Sequence, residues 1–241
     1  MGSYDLHAVP GRWTWKASLD VALFTLLLNI TLSFVLTALL QNVSGSLNQP
    51  ILGTPLGTSF LGAAEAVFLI PLYLYSKRFE VSRLQLGVHV ANWRQGLTDV
   101  ACGFLFGLAM VPVSVSLSTL NELILGPQPG GEYIRRSFSV ASPLELALLL
   151  SVIAFAVAPV EEVISRGFIQ QGFERGFGKL KGLVLASFLF SVMHLDFWSI
   201  FPLLILGMLL GFVFQLRGGR VLAPITSHAV YMVCLVIIAS T

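Results

Sequence analysis

The stretch Ala158-Pro159-Val160-Glu161-Glu162-Val163-Ile164-Ser165-Arg166-Gly167 sets two adjacent carboxylates and an arginine inside an otherwise apolar run. Glu162 and Arg166 are four residues apart. On a helix they stack on one face as an ion pair, acid first, which is the favourable order. Glu161 is rotated by about 100° from Glu162 and faces elsewhere. Charge within an apolar helix is costly, so ionisable groups there point to function. The structural alternative is the polar end of a membrane helix, with the pair as an interfacial anchor.

The surrounding composition makes that helix a membrane helix. The chain has 241 residues, 56% of them hydrophobic and 11% charged, with a mean hydropathy of +0.85. Soluble domains carry about 25% charged residues. The expected fold is an all-α polytopic bundle of about seven to eight transmembrane helices of about 20 residues each. Residues 1–16 read as a cytoplasmic N-terminal segment, with Trp13 and Trp15 as interface anchors. Residues 17–241 read as a single membrane domain. The first apolar run is too long for a signal peptide and reads as a retained span.

The apolar segments lie near residues 17–40, 58–76, 98–120, 143–172, 182–195, 197–216 and 221–239. Pro112 is expected to kink the third. Ser142 is expected to cap the fourth, with Pro143 at its first helical position. Residues 77–97 read as amphipathic and residues 121–142 as a polar loop. With the N-terminus cytoplasmic and seven spans, only Arg135 and Arg136 among the basic residues fall outside. This is a strong positive-inside pattern and suggests a cell inner or plasma membrane. No basic cluster is dense enough for nucleic acid. Cys102 and Cys234 stand in separate apolar segments, without the spacing of a disulfide framework or zinc ribbon.

Two histidines fall within the spans, His194 and His228. At 1.5 Å per residue, Glu161 sits roughly 17 Å, His194 roughly 20 Å and His228 roughly 12 Å from the inner ends of their helices. Three ionisable groups from three helices can therefore meet at one level. A buried glutamate can act as general base on water. A neutral histidine can orient that water, and a second can donate to an oxyanion. No serine or cysteine is clearly partnered as a nucleophile. Glu161, His194 and His228 could also hold a divalent metal such as zinc, although the HExxH spacing is absent. Bare glutamate catalysis and metal assistance both remain open, as does a requirement for no cofactor.

Glu161-Glu162-x-x-x-Arg166, then Phe190-x-x-x-His194, then His228 resembles the CPBP family of CAAX prenyl proteases and bacteriocin-processing (Abi) enzymes. The resemblance covers about residues 143–235, including Gly207 to Gly211 and Pro224 to His228. It implies an intramembrane endopeptidase acting on a membrane-associated peptide or protein, of CAAX or leader-peptide type. Carried over by position, Glu161 activates water, His194 assists and His228 belongs to the oxyanion hole. Glu162 and Arg166 brace the site and Phe190 packs behind His194. The family's last motif is usually HxxxN, whereas Met232 stands in the asparagine's place. Tyr231, adjacent on nearly the same face, is the candidate replacement donor.

Two other readings compete. Met232 motivates a non-catalytic binder, such as an immunity protein on the same fold. A small transporter with a proton relay is disfavoured by the lack of internal repeats. Glu65, inside the second segment, is the best extra functional carboxylate, with a helix–helix hydrogen bond as the favoured alternative. Asp20, Asp99 and Glu145 are expected at the interface. Gly103-x-x-x-Gly107 and Gly207-x-x-x-Gly211 are expected close-packing sites.

Overall fold

The structure is a computed structural model that describes residues 13–48 and 50–240. The part of the expected N-terminal segment at residues 1–12 lies outside the described residues. Among the described residues eight helices run in order: α1 (Trp15–Leu47), α2 (Pro55–Arg78), α3 (Trp93–Leu125), α4 (Gly131–Phe138), α5 (Pro143–Phe177), α6 (Lys179–Met193), α7 (Ile200–Leu216) and α8 (Leu222–Ser240). No strand occurs among the described residues. The protein is an integral membrane protein: α1, α2, α3, α5 and α8 are long and apolar enough to cross a bilayer, and α7 is a shorter apolar helix. Helix α6, with 15 residues, rises about 22 Å, short of a hydrocarbon layer about 30 Å thick.

Local chemistry sets the helix starts. Thr54 Oγ1 accepts from Gly57 N ahead of α2, with Pro55 at the first position. Asn92 Oδ1 accepts from Gln95 N ahead of α3. Ser142 Oγ accepts from Glu145 N while Glu145 Oε2 accepts from Ala141 N, with Pro143 opening α5 as expected. These bonds satisfy amide donors that the helix itself cannot.

Helix α5 is the central element, and it is not uniform. It widens into π-helical turns at Ile153–Val157 and Val163–Gln170, around the α-helical Ala158–Glu162. Pro159 has no N–H, and its ring crowds the carbonyl four residues back, at Phe155. The first π turn sits at that carbonyl. Such turns re-aim the side chains beside them and recur at functional sites.

Glycines let the site helices close on each other. A Cβ on Gly103 would lie 2.5 Å from Ala223 O, and one on Gly107 would lie 2.6 Å from Ser227 O. The Gly103/Gly107 face of α3 is thus the seat of α8, which carries His228. The bundle is tied at one end by Asp99, fully buried and paired with Arg217 (2.6 Å) and Arg220 (2.8 Å).

Several local expectations change. Asp99 is a buried tether rather than an interfacial residue. Trp13 is 1% exposed rather than an interface anchor. Its indole stacks on Phe168 at 4.9 Å, its N–H donates to Phe168 O, and Arg175 lies over its ring. The loop at 121–142 contains α4, where Glu132 pairs with Arg135 and Arg136 one turn on. Residues 79–92, within the stretch read as amphipathic, form turns and irregular backbone.

Candidate active site

Glu162 and Arg166 form a pair removed from solvent, at 0% and 2% exposure. Arg166 Nε lies 3.2 Å from Glu162 Oε2, and Nη1 donates to Oε1 at 3.3 Å. The guanidinium also donates to Gly207 O on α7 and lies 4.3 Å from the centre of the Phe190 ring. Glu162 has a second partner from another helix: His228 Nδ1 on α8, at 3.0 Å from Oε1. A continuous chain therefore runs Gly207–Arg166–Glu162–His228 through the core.

Glu161 faces the other way, toward His194. The two side chains are 19% and 33% exposed, with Glu161 Oε2 and His194 Nε2 4.0 Å apart. That is too far for a direct hydrogen bond and suits one bridging water. His194 closes α6, and its Nδ1 pairs with Phe190 O, one turn back, at 2.8 Å. A carbonyl only accepts, so Nδ1 carries the hydrogen. In the neutral ring this leaves the Nε2 lone pair facing Glu161. The next residue, Leu195, turns the chain with a left-handed φ of 56°.

Phe190 sits between the two histidines. Its ring centre is 4.7 Å from that of His194 and 6.3 Å from that of His228, edge-on to both. Two cavities meet here. One, of about 270 Å³, lies between α1, α2, α5 and α6, with Asn29, Ser33 and Phe68 on its wall. The other, of about 430 Å³, lies among α2, α3, α5, α7 and α8, with His228, Tyr231 and Met232 on its wall. Leu61, Glu65, Glu161, Phe190 and His194 line both.

The tertiary structure thus brings Glu161, His194 and His228 to one cavity, but in two chains rather than one cluster. His228 bonds Glu162, not Glu161. The metal set read from sequence is not assembled: among the described residues, no three His, Cys, Asp or Glu side chains are arranged to hold a metal ion. Tyr231 hydroxyl pairs with Ser114 Oγ on α3 at 2.8 Å. Met232 lines the larger cavity, packed among apolar neighbours.

Two features were not legible beforehand. The Glu162–His228 link joins residues 66 positions apart, and no local pattern encodes it. Ser114 is one of many serines in membrane helices and carried no signal. Glu65 did carry one, as a carboxylate inside an apolar segment.

A family model, described as type II CAAX prenyl endopeptidase Rce1-like, matches residues 143–234. These residues are an Rce1-like domain. The CPBP resemblance read over residues 143–235 is thereby met. The Rce1-like domain spans α5 to most of α8 and contains every residue of the two polar chains described above. Its family is one of endopeptidases that act on CAAX prenyl substrates, which points to a membrane-embedded protease working on a peptide. Helices α1 to α4 lie outside it. No curated protein and no solved structure matches the chain.

Proposed function

We propose that the chain is an intramembrane endopeptidase that hydrolyses a peptide bond of a membrane-associated substrate, of CAAX or leader-peptide type, with water activated by Glu161 and His194. The observation that carries this reading is the 4.0 Å gap between Glu161 Oε2 and His194 Nε2, at the junction of two cavities. Both atoms are acceptors. A water between them donates one hydrogen to each and turns an oxygen lone pair toward the substrate. Glu161 takes the proton as the water oxygen bonds to the carbonyl carbon. The proton then passes to the leaving nitrogen as the C–N bond breaks, and Glu161 is a carboxylate again. General base catalysis of this kind contributes about 10²–10⁴ in rate.

The oxyanion falls to α8. His228 Nδ1–H is committed to Glu162, so Nε2 is the atom free to donate. Donation from Nε2 makes the ring an imidazolium, with the Glu162 carboxylate as its counterion and Arg166 holding that carboxylate in place. Tyr231 supplies the second donor, its hydroxyl oriented by Ser114, in place of the asparagine for which this chain has Met232. In this reading the N-terminus is cytoplasmic and residues 17–241 act as one membrane domain.

Met232 also favours a second reading, a non-catalytic binder on the same fold. One experiment separates them. Purified protein is incubated with a library of membrane-tethered peptides, beside Glu161→Ala protein shown to be folded. New termini formed by wild type and absent with the variant support the protease. Identical products, or none from either protein, sink it.

A further inference from the structure

A third carboxylate reaches the same point from outside the Rce1-like domain. Glu65 opens a tight 3₁₀ turn, Glu65–Phe68, in the middle of α2. With three residues per turn, positions 65 and 68 share a side, and both line the smaller cavity. One turn earlier, Gly62 presses α2 onto the widened part of α5. A Cβ there would lie 2.9 Å from both Val152 Cγ1 and Val157 Cγ2. This contact brings Glu65 beside Glu161, and the two side chains line both cavities. Glu65 Oε2 and Glu161 Oε2 are both buried, and neither meets an N–H or hydroxyl donor.

Two carboxylates cannot hydrogen-bond each other without a proton. Two adjacent negative charges inside a low-dielectric bundle repel strongly. Two fully protonated groups leave no base. One proton held between them lets the two carboxyl groups bond and leaves one charge.

We propose that Glu65 is a positioning residue that shares a single proton with Glu161 and fixes the free face of the Glu161 carboxylate toward His194. This rests on the reading of Glu161 as the base. The proton count then closes without an outside donor. The pair starts with one proton and holds two once Glu161 has taken the proton of the attacking water. It gives one to the leaving nitrogen as the C–N bond breaks, and returns to one.

The test uses the full chain in detergent and has two arms. Infrared spectra in H₂O and D₂O are recorded on wild type and Glu65→Gln without substrate. The expected result is a protonated-carboxyl C=O band in wild type that shifts in D₂O and is lost in Glu65→Gln, whose amide donates to Glu161 instead. A wild type without that band, or a band unchanged in Glu65→Gln, overturns the shared proton. In the second arm, cleavage kinetics are measured for Glu65→Ala and Glu65→Gln. Glu65→Ala is expected to lower kcat by about a hundredfold with KM unchanged, the scale for a misplaced catalytic group. Glu65→Gln is expected to recover most of that loss, because it keeps a donor. Equal kcat in wild type and Glu65→Ala overturns the positioning role, as does a Glu65→Gln as slow as Glu65→Ala. If wild type cleaves nothing, the protease reading fails, and the infrared arm still decides the carboxyl pair.

Discussion

Replacing Arg166 by Met should destabilise the protein far more than the loss of one ion pair on a surface. In the wild type, Glu162 Oε1 accepts from Arg166 Nη1 at 3.3 Å and from His228 Nδ1 at 3.0 Å, and Arg166 Nε lies 3.2 Å from Oε2, with neither Glu162 nor Arg166 reaching solvent. Arg166→Met leaves the carboxylate with His228 alone. Glu162→Gln leaves the guanidinium without a counter-charge, facing only neutral groups: the amide oxygen of the new side chain, Gly207 O and the face of Phe190. Breaking a buried pair from one side costs about 3–5 kcal/mol, because a buried charge stays uncompensated, whereas replacing both members is often close to neutral. Each single variant should therefore lose about 3–5 kcal/mol, and the double variant should lose less than the two losses added together. The expected coupling is about 3 kcal/mol or more. The assay is reversible unfolding in mixed detergent micelles, read by circular dichroism for wild type, both singles and the double. Losses that add to within about 0.5 kcal/mol, the behaviour of independent sites, would refute the reasoning. All three variants should also lose cleavage. The double variant regains stability but not the arginine that holds Glu162 beside His228.

Three further outcomes follow from the same contacts. Tyr231→Phe should lower kcat by about a hundredfold, the worth of one oxyanion donor, and Met232→Asn in that background should restore part of it; steady-state kinetics on a cleaved peptide checks both. Gly107→Ala drives a methyl group against Ser227 O and should cost about 1–3 kcal/mol by overpacking, seen as a lower unfolding midpoint together with reduced activity, since α8 carries His228. His89 lies outside the spans, and burial first, then the charge of Arg220, lowers its pKa from the usual 6.5 despite the opposing pull of Asp99. The unfolded chain then binds this proton more readily than the folded one. The stabilising share of the neutral ring is complete above pH 6.5 and is lost as pH falls through the lower folded value; His89→Gln should flatten that acid limb in a series of thermal melts.

Most of the helices were legible because hydropathy is local. A run such as 98–120 has to lie in lipid whatever its neighbours do, and Ser142-Pro143 has to start a helix. The order Glu161-Glu162, Arg166, Phe190, His194, His228 pointed to the candidate site for the same reason: type and spacing suffice to stack Glu162 on Arg166. Trp13 and Asp99 were misplaced because each was judged by its distance from a span end. Their burial depends on Phe168, Arg217 and Arg220, which lie more than a hundred residues away in sequence.

The sequence by itself determined a membrane bundle and the side chains able to carry its chemistry. Depth along a helix is counted in residues, so it also set Glu161, His194 and His228 at a common level. Only the tertiary structure decided how that level is wired. Depth says nothing about the direction a side chain takes around the helix axis or about which helices touch. Pro159 and the π turns of α5 set the first, and Gly62, Gly103 and Gly107 set the second. Together they divide the adjacent glutamates, giving Glu162 to Arg166 and His228, and Glu161 to His194 and Glu65.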